Sequence, residues 1–122
     1  MNFTRRTTLA AVALAATALS PFAALAQEAV KVGVILPMTG PSASTGREIA
    51  AAIKLFQEQK GDKAGGKKVE VIIKDDTGVA DITKRLAQEL VVNDKVSVIA
   101  GFGLTPLALA AAPIATQAKL PQ

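Results

Sequence analysis

One stretch, from Val30 to Gly46, constrains the fold of this chain more than any other. It begins as a continuous apolar strand, Val30 to Pro37, and runs into a loop rich in glycine, proline and small hydroxyl-bearing residues. A strand without a polar face is typical of a parallel sheet that helices cover on both sides. The loop follows the carboxyl end of the strand, where open α/β sheets bind their ligands.

The remaining chain repeats this strand–helix unit. Hydrophobic spacing predicts helices over residues 45–60, 80–93 and 105–119, strands over 69–75 and 96–100, and the approach to a fourth strand at 120–122. The short connections imply right-handed crossovers, with the first strand lying between the second and the third. The predicted fold class is therefore α/β, a Rossmann-like parallel sheet built from βα repeats.

Local signals refine three of these elements. Thr45 and Glu48 have the spacing of a capping box, which predicts that the first helix begins at Thr45. The apolar side chains of this helix recur at helical spacing and are expected to face the sheet; they are Ile49, Ile53 and Phe56. The glycine-rich segment 61–68 is predicted to be a solvated loop. Pro113 is expected to kink the third helix, because an interior proline costs about 3 kcal/mol.

Residues 1–26 have the organisation of a cleavable export signal. Two arginines precede an apolar run that is shorter than the roughly 20 residues needed to span a bilayer, and a small-residue cleavage pattern follows. These features are Arg5 and Arg6, Leu9–Leu19, and Ala24 and Ala26 before Gln27, the expected first residue after cleavage. The arginine pair leaves both Sec and twin-arginine export open. Since no cysteine follows the apolar run, we expect a soluble periplasmic protein without a lipid anchor.

Composition excludes several classes of function. The chain contains no histidine and no cysteine, which removes histidine-based triads, cysteine nucleophiles, disulfides and most zinc sites. Without the signal it carries 12 basic and 10 acidic residues, a formal charge of +2, which gives no indication of nucleic-acid binding.

Three motifs suggest other kinds of binding site, but each departs from the residue pattern that such a site requires. Gly40–Arg47 resembles a phosphate loop but has the wrong glycine spacing and lacks its lysine. Gly101–Gly103 lacks the third glycine of a dinucleotide fingerprint. Asp75 and Asp76 are adjacent carboxylates without a further oxygen cluster, which is more typical of a loop start or a helix cap than of a metal site. We therefore predict no metal, no cofactor and no enzymatic activity.

The loops after the first and third predicted strands should face each other across a switch point. Each delivers the chain to a helix N-terminus, where unpaired N–H groups attract anions. Thr105 stands where an N-cap belongs, with Pro106 at the first helical position, although a cap alone, worth about 1 kcal/mol, would explain it equally well. The predicted site binds a small carboxylate through hydroxyls and amides. Its residues are Ser44, Thr45, Leu104, Thr105 and Pro106.

These motifs, in this order, resemble the start of the periplasmic branched-chain amino-acid-binding proteins, the receptors of ABC importers. The similar segments are Val30–Pro41, Thr45–Gly46, Gly65–Gly66, Val69–Asp76, Leu86–Val92 and Val96–Gly101. Residues 27–122 would then be the incomplete N-terminal lobe of a type I periplasmic-binding fold. The resemblance implies a monomeric, two-lobed protein about three times as long, which closes on its ligand like a hinge and delivers it to a membrane permease.

The resemblance also assigns roles to two residues. In the family, the position of Thr105 is usually a serine that holds the ligand carboxylate, and the position of Thr45 is often a larger, commonly aromatic side chain. The resemblance therefore implies a branched-chain amino acid or a related small carboxylate or amide as the ligand, and because Thr45 departs from the family pattern, the amides and aromatic acids that other family members take up stay open. The alternative function is that of a ligand-sensing domain of a receptor or regulator on the same fold; an enzyme on this fold is disfavoured by the absence of histidine, cysteine and a complete nucleotide loop.

Overall fold

The computed structural model describes residues 28–122, in which helices pack around a four-stranded sheet. In chain order the elements are β1 (Val30–Leu36), α1 (Ala43–Lys60), β2 (Lys63–Ala64), β3 (Lys67–Asp75), α2 (Ala80–Glu89), a π-helical turn (Leu90–Asp94), β4 (Val98–Gly101) and α3 (Thr105–Gln117). The export signal predicted for residues 1–26, and its cleavage site at Ala24, Ala26 and Gln27, lie outside the described residues.

The sheet has the order β2-β3-β1-β4, with β1 parallel to both β3 and β4. The central position predicted for the first strand is therefore confirmed. In register, Leu36 at the end of β1 pairs with Asp75, and Ile35 pairs with Gly101. All three carboxyl ends consequently meet at one edge of the sheet.

Residues 61–68, predicted to be a solvated loop, are exposed but contain a short hairpin that the sequence did not predict. Lys63 and Ala64 pair antiparallel with the start of β3, which begins at Lys67 rather than at Val69. Gly65 and Gly66 form the turn with φ angles of 57° and 81°. Two consecutive positive φ values suit the tight turns that join antiparallel strands, and glycine adopts them without a steric penalty.

The second helix also ends differently from the prediction. α2 stops at Glu89, and the chain continues as the π-helical turn, which Lys95 ends in a left-handed conformation with φ 53°. Val96 then donates its N–H to the Leu90 carbonyl at 3.1 Å. This bond holds Val96 against the helical turn, so β4 begins at Val98, two residues later than the sequence predicts.

The core lies between the sheet and the face formed by α2 and α3. Its fully buried members include Ile35 of β1, Leu90 of the π-helical turn and Ile99 of β4. Ala111 and Ala115 of α3 complete it, and their small side chains let that helix approach closely. The helical spacing of Ile82, Leu86 and Leu90 predicts an apolar stripe on the second helix, and the stripe is confirmed: Leu86 and Leu90 belong to this core and Ile82 packs against it.

The opposite face of the sheet is covered less completely. Ile49, Ile53 and Phe56 of α1 face β3 as predicted, across an apolar groove of about 500 Å³ with Val69 and Val71 on its floor. They do not pack closely against the sheet, since Ile49 and Phe56 remain 38% and 63% exposed. The close approach of α1 is made by its first turn instead, where Gly46 lies against Pro37.

The end of the described chain returns to the sheet. Ile99 of β4 donates its N–H to the Pro121 carbonyl at 3.0 Å, as the predicted approach to a fourth strand requires. α3 continues through Pro113 to Gln117. Within residues 28–122, no helix is both long enough and apolar enough to cross a membrane.

Candidate functional site

Three loops meet at the carboxyl edge of the sheet, and β1 supplies the central one. The loop after β1 covers residues 37–42, the loop after β3 covers 76–79, and the loop after β4 covers 102–104. The Phe102 N–H donates to the Ile35 carbonyl at 2.7 Å, which holds the third loop beside the first. The edge is therefore a single surface rather than three separate turns.

Pro37 is the fully buried centre of this surface, and both candidate helices start against it. A Cβ at Gly46, in the first turn of α1, would lie 2.2 Å from the Pro37 carbonyl oxygen. A Cβ at Gly103, in the loop before α3, would lie 2.5 Å from the Pro37 ring. Only residues without a side chain fit at these two positions, because neither gap leaves space for another carbon atom.

The start of α1 differs from the prediction. The helix begins at Ala43, with Ser42 as the N-cap residue and no side-chain cap, so the Thr45–Glu48 capping box does not form. The Ala43 N–H donates to the Gly40 carbonyl at 3.2 Å, which begins the helix two residues early and leaves Thr45 already inside it. Within the described chain, the N–H groups of Ser44 and Thr45 have no acceptor, as is usual in a first helical turn.

The start of α3 is displaced by one residue from the prediction. Leu104 is the N-cap residue and Thr105 the first helical residue, so Thr105 is not the cap and Pro106 occupies the second position. Leu107 and Ala108 both donate to the Leu104 carbonyl, at 3.0 and 3.4 Å. Pro106 has no N–H to donate. Within residues 28–122 the Thr105 N–H has no acceptor, so it is the donor of this turn that a ligand could use.

All five predicted ligand residues are exposed at this edge. They fall into two groups, Ser44 and Thr45 on α1, and Leu104, Thr105 and Pro106 at the start of α3. Each group adjoins a glycine that packs against Pro37, Gly46 for the first and Gly103 for the second, and in the described chain no hydrogen bond joins the two groups.

The electrostatics of the two helix starts favour an anion. Neither first turn contains an acidic residue, and each presents the positive end of a helix dipole. The basic side chain of Arg47 lies close by, and its Nε donates to the Met38 carbonyl at 3.4 Å. A carboxylate at either helix start would meet N–H and hydroxyl donors, with no acidic residue in the same turn.

Asp75 is a residue of this edge whose role the sequence did not reveal. Its Oδ1 accepts from the N–H groups of Met38 at 2.8 Å, Thr39 at 3.3 Å and Thr77 at 2.8 Å, and its Oδ2 accepts from the Thr39 hydroxyl at 2.6 Å. The Thr39 hydroxyl bond is the largest cause of a lowered pKa for this carboxyl, and the three N–H bonds add to it. This role is indicated by the pairing register of β1 and β3, which places Asp75 beside the end of β1.

Asp76 turns the other way, into the protein. It is fully buried, accepts from the Gly78 N–H at 3.0 Å, and accepts from the Thr83 hydroxyl of α2 at 2.8 Å. The two adjacent carboxylates thus begin the loop, as the sequence predicts, but they hold different elements. Asp75 orders the β1 side of the edge, and Asp76 ties the loop to α2.

A family model described as periplasmic binding protein matches residues 29–122. The chain belongs to the periplasmic binding protein family. This membership confirms the predicted α/β fold as the N-terminal part of a lobe of that family. The family is described as one of binding proteins, which agrees with the prediction that the chain is not an enzyme.

Individual proteins are also similar to this chain in sequence or in structure. The Leu/Ile/Val-binding protein homolog 6 of Brucella abortus is 44% identical over 115 residues, which cover 93% of this chain and 29% of that protein. A solute binding protein of an ABC transporter from Rhodopseudomonas palustris BisB5, solved with 3,4-dihydroxybenzoic acid, is 67% identical with a TM-score of 0.75. The likeness covers 76% of this chain and 26% of that one.

A second solved structure has a related ligand. A solute binding protein of an ABC transporter from R. palustris in complex with 4-hydroxybenzoate is 41% identical with a TM-score of 0.72, over 77% of this chain and 26% of that chain. The chain thus spans little more than a quarter of the length of each of these proteins.

Proposed function

We propose that this chain is the N-terminal part of a two-lobed solute receptor of an ABC importer, and that its ligand is a small aromatic carboxylate. The observation that carries the proposal is that both helix starts lie against Pro37, with open N–H donors and no acidic residue in either first turn. Backbone N–H groups at helix N-termini bind carboxylates without needing a cationic side chain. In the proposed complex the ligand carboxylate lies between Thr105 and the turn that bears Ser44 and Thr45, with Leu104 and Pro106 beside it.

The edge suits an aromatic acid better than an amino acid. An α-ammonium group needs acceptors, but Asp75 already accepts four hydrogen bonds from the chain and Asp76 is fully buried. A benzoate has no ammonium group and therefore makes no such demand. The relative that is 67% identical was solved with 3,4-dihydroxybenzoic acid, which supports the same ligand class.

The proposed function also implies where the protein acts and which partner it has. We propose that an export signal directs the protein to the periplasm, and that the loaded protein passes its ligand to a membrane permease. Closure of two lobes around the ligand would exclude water from the carboxylate and strengthen its hydrogen bonds.

Calorimetric titration of the full-length protein tests the ligand class. We expect 3,4-dihydroxybenzoate and 4-hydroxybenzoate to bind, and methyl 4-hydroxybenzoate, which lacks the carboxylate charge, to bind at least about 100-fold more weakly. Leucine is the competing ligand. Tight binding of leucine with none of the benzoates would overturn the proposal.

Replacement of Thr105 tests the site. Thr105→Ala should weaken benzoate binding about 10-fold or more through the lost hydroxyl, while the free energy of unfolding changes by less than about 0.5 kcal/mol, because Thr105 makes no side-chain cap. Thr116→Ala, at an exposed position near the other end of α3, is the matched control and should leave affinity unchanged. Equal affinities of the two variants would remove Thr105 from the site.

A further inference from the structure

The loop after β1 has no regular structure, yet it carries the start of α1 to the ligand side of the sheet. Its residues Thr39, Gly40 and Pro41 are exposed, so burial does not order them. What contacts them instead is the end of the neighbouring strand, through the Asp75 carboxylate.

Asp75 holds this loop at two consecutive residues. The N–H groups of Met38 and Thr39 both point at Oδ1, and the Thr39 hydroxyl lies 2.6 Å from Oδ2. An ionised carboxylate accepts such bonds about twice as strongly as a neutral oxygen does. The same Oδ1 accepts from Thr77, which joins the loop after β3 to the arrangement.

From this point the chain has little freedom before α1. A Cβ at Gly40 would lie 3.1 Å from the Thr77 carbonyl oxygen, and Gly40 itself accepts the first bond of the helix start, from Ala43. One turn later Gly46 lies against Pro37. The orientation of the open N–H groups of Ser44 and Thr45 therefore depends on a path that begins at Asp75.

We propose that Asp75 is a positioning residue for ligand binding: it sets the place of the first turn of α1 opposite Thr105 without touching the ligand. This inference rests on the proposed function for its consequence, since it names what aligns the α1 side of that site. Thr39 acts with it as the hydroxyl donor that completes the carboxylate's shell.

The chain offers a matched pair of substitutions to test this. Thr39→Val and Thr83→Val make the same chemical change, each removing a hydroxyl that donates to one of two adjacent carboxylates, Asp75 or Asp76. Only the first of these lies on the path to α1. In the full-length protein, Thr39→Val should weaken binding of 3,4-dihydroxybenzoate about 10-fold, whereas Thr83→Val lowers stability and leaves affinity within about 2-fold.

Two further variants separate positioning from direct contact. Thr39→Ser retains the hydroxyl and should restore wild-type affinity. The double variant Thr39→Val with Asp75→Asn should bind no more weakly than the weaker single variant, because both changes break one interaction. Losses that add would mean that Thr39 touches the ligand itself, and equal affinities of Thr39→Val and Thr83→Val would show a general stability effect; either result overturns the proposal.

A measurement without ligand keeps this test separate from that of the proposed function. Amide hydrogen exchange of the ligand-free protein should be about 10-fold faster at Ala43 and Gly46 in Thr39→Val and unchanged there in Thr83→Val. If the wild-type protein binds neither benzoate nor leucine, the proposed function fails, and the exchange rates alone decide whether Asp75 orders the turn. Unchanged exchange at Ala43 and Gly46 would overturn the positioning role whatever the ligand.

Discussion

Gly46 is where a single added carbon atom tests the geometry of the site most sharply. In Gly46→Ala the new Cβ would stand 2.2 Å from the Pro37 carbonyl oxygen and 2.7 Å from the Pro37 carbonyl carbon. To reach ordinary van der Waals contact at 3.4 Å, the first turn of α1 has to move by about 1.2 Å. Neither atom can swing aside as a flexible side chain would, because both belong to the backbone of a fully buried residue.

Two effects of opposite sign set the magnitude. Alanine stabilises a helix interior by about 1 kcal/mol relative to glycine. Overpacking a rigid contact destabilises by about 1–3 kcal/mol, and backbone atoms put this contact at the upper end. We therefore expect a net loss of about 1–2 kcal/mol in the free energy of unfolding. A displacement of this size would also break the hydrogen bonds that Ser44 and Thr45 are proposed to make to the ligand, so benzoate affinity should fall at least about 10-fold.

Urea denaturation and calorimetric titration of the full-length protein measure both quantities. Ala51→Gly, at an exposed position of the same helix, is the control: it should lose about 1 kcal/mol through helix propensity alone and bind benzoate normally. The reasoning is refuted if Gly46→Ala is more stable than the wild type and binds with unchanged affinity, because that is the result of propensity without the contact.

Three further predictions concern the carboxylates of the described chain. Thr83→Val should lower the free energy of unfolding by about 1–3 kcal/mol, since it removes a donor from the buried Asp76, and Thr83→Ser should recover most of it in urea denaturation. Lys74→Met should cost about 1–3 kcal/mol by leaving Asp94 without its cation at 2.8 Å. Since Asp94 and then Glu89 raise the Lys74 pKa, the wild type should lose this stabilisation as the pH rises above the ordinary value of 10.5, and a flat alkaline profile would contradict the pairing. Because the Thr39 hydroxyl and three N–H groups lower the Asp75 pKa, the stabilisation by ionised Asp75 should be complete above the ordinary pKa of 3.8 and disappear as the pH falls below it. Asp75→Asn should therefore reduce the fall of the free energy of unfolding at acid pH. An unchanged acid dependence would mean that other groups cause it.

The sheet could be predicted from the sequence because its signals are local and strong. The apolar run Val30–Pro37 predicts a strand of a parallel sheet, and β1 pairs parallel with both of its neighbours. The stripe containing Leu86 and Leu90 faces the core, as its spacing predicts. In each case burial of apolar area, worth about 25 cal/mol per Å², outweighs the other local preferences.

The details of the site could not be predicted in this way, because they depend on contacts between distant residues. The capping-box spacing of Thr45 and Glu48 is real, but the bond from Ala43 to Gly40 begins the helix before Thr45 can act as a cap. The spacing of Ile49 and Phe56 indicates an apolar face but not what covers it. Asp75 has no sequence signal of its own, since its partners Met38 and Thr39 lie more than thirty residues away along the chain.

The measurement that tests the account most directly is a titration of the full-length, isotopically labelled protein with 3,4-dihydroxybenzoate, followed through its backbone amide resonances. The account predicts the largest shifts at Thr105, Ser44 and Thr45, because their open N–H groups receive the carboxylate. Shifts confined to the apolar groove around Ile53 and Val71, with the amides of the two helix starts unchanged, would contradict it.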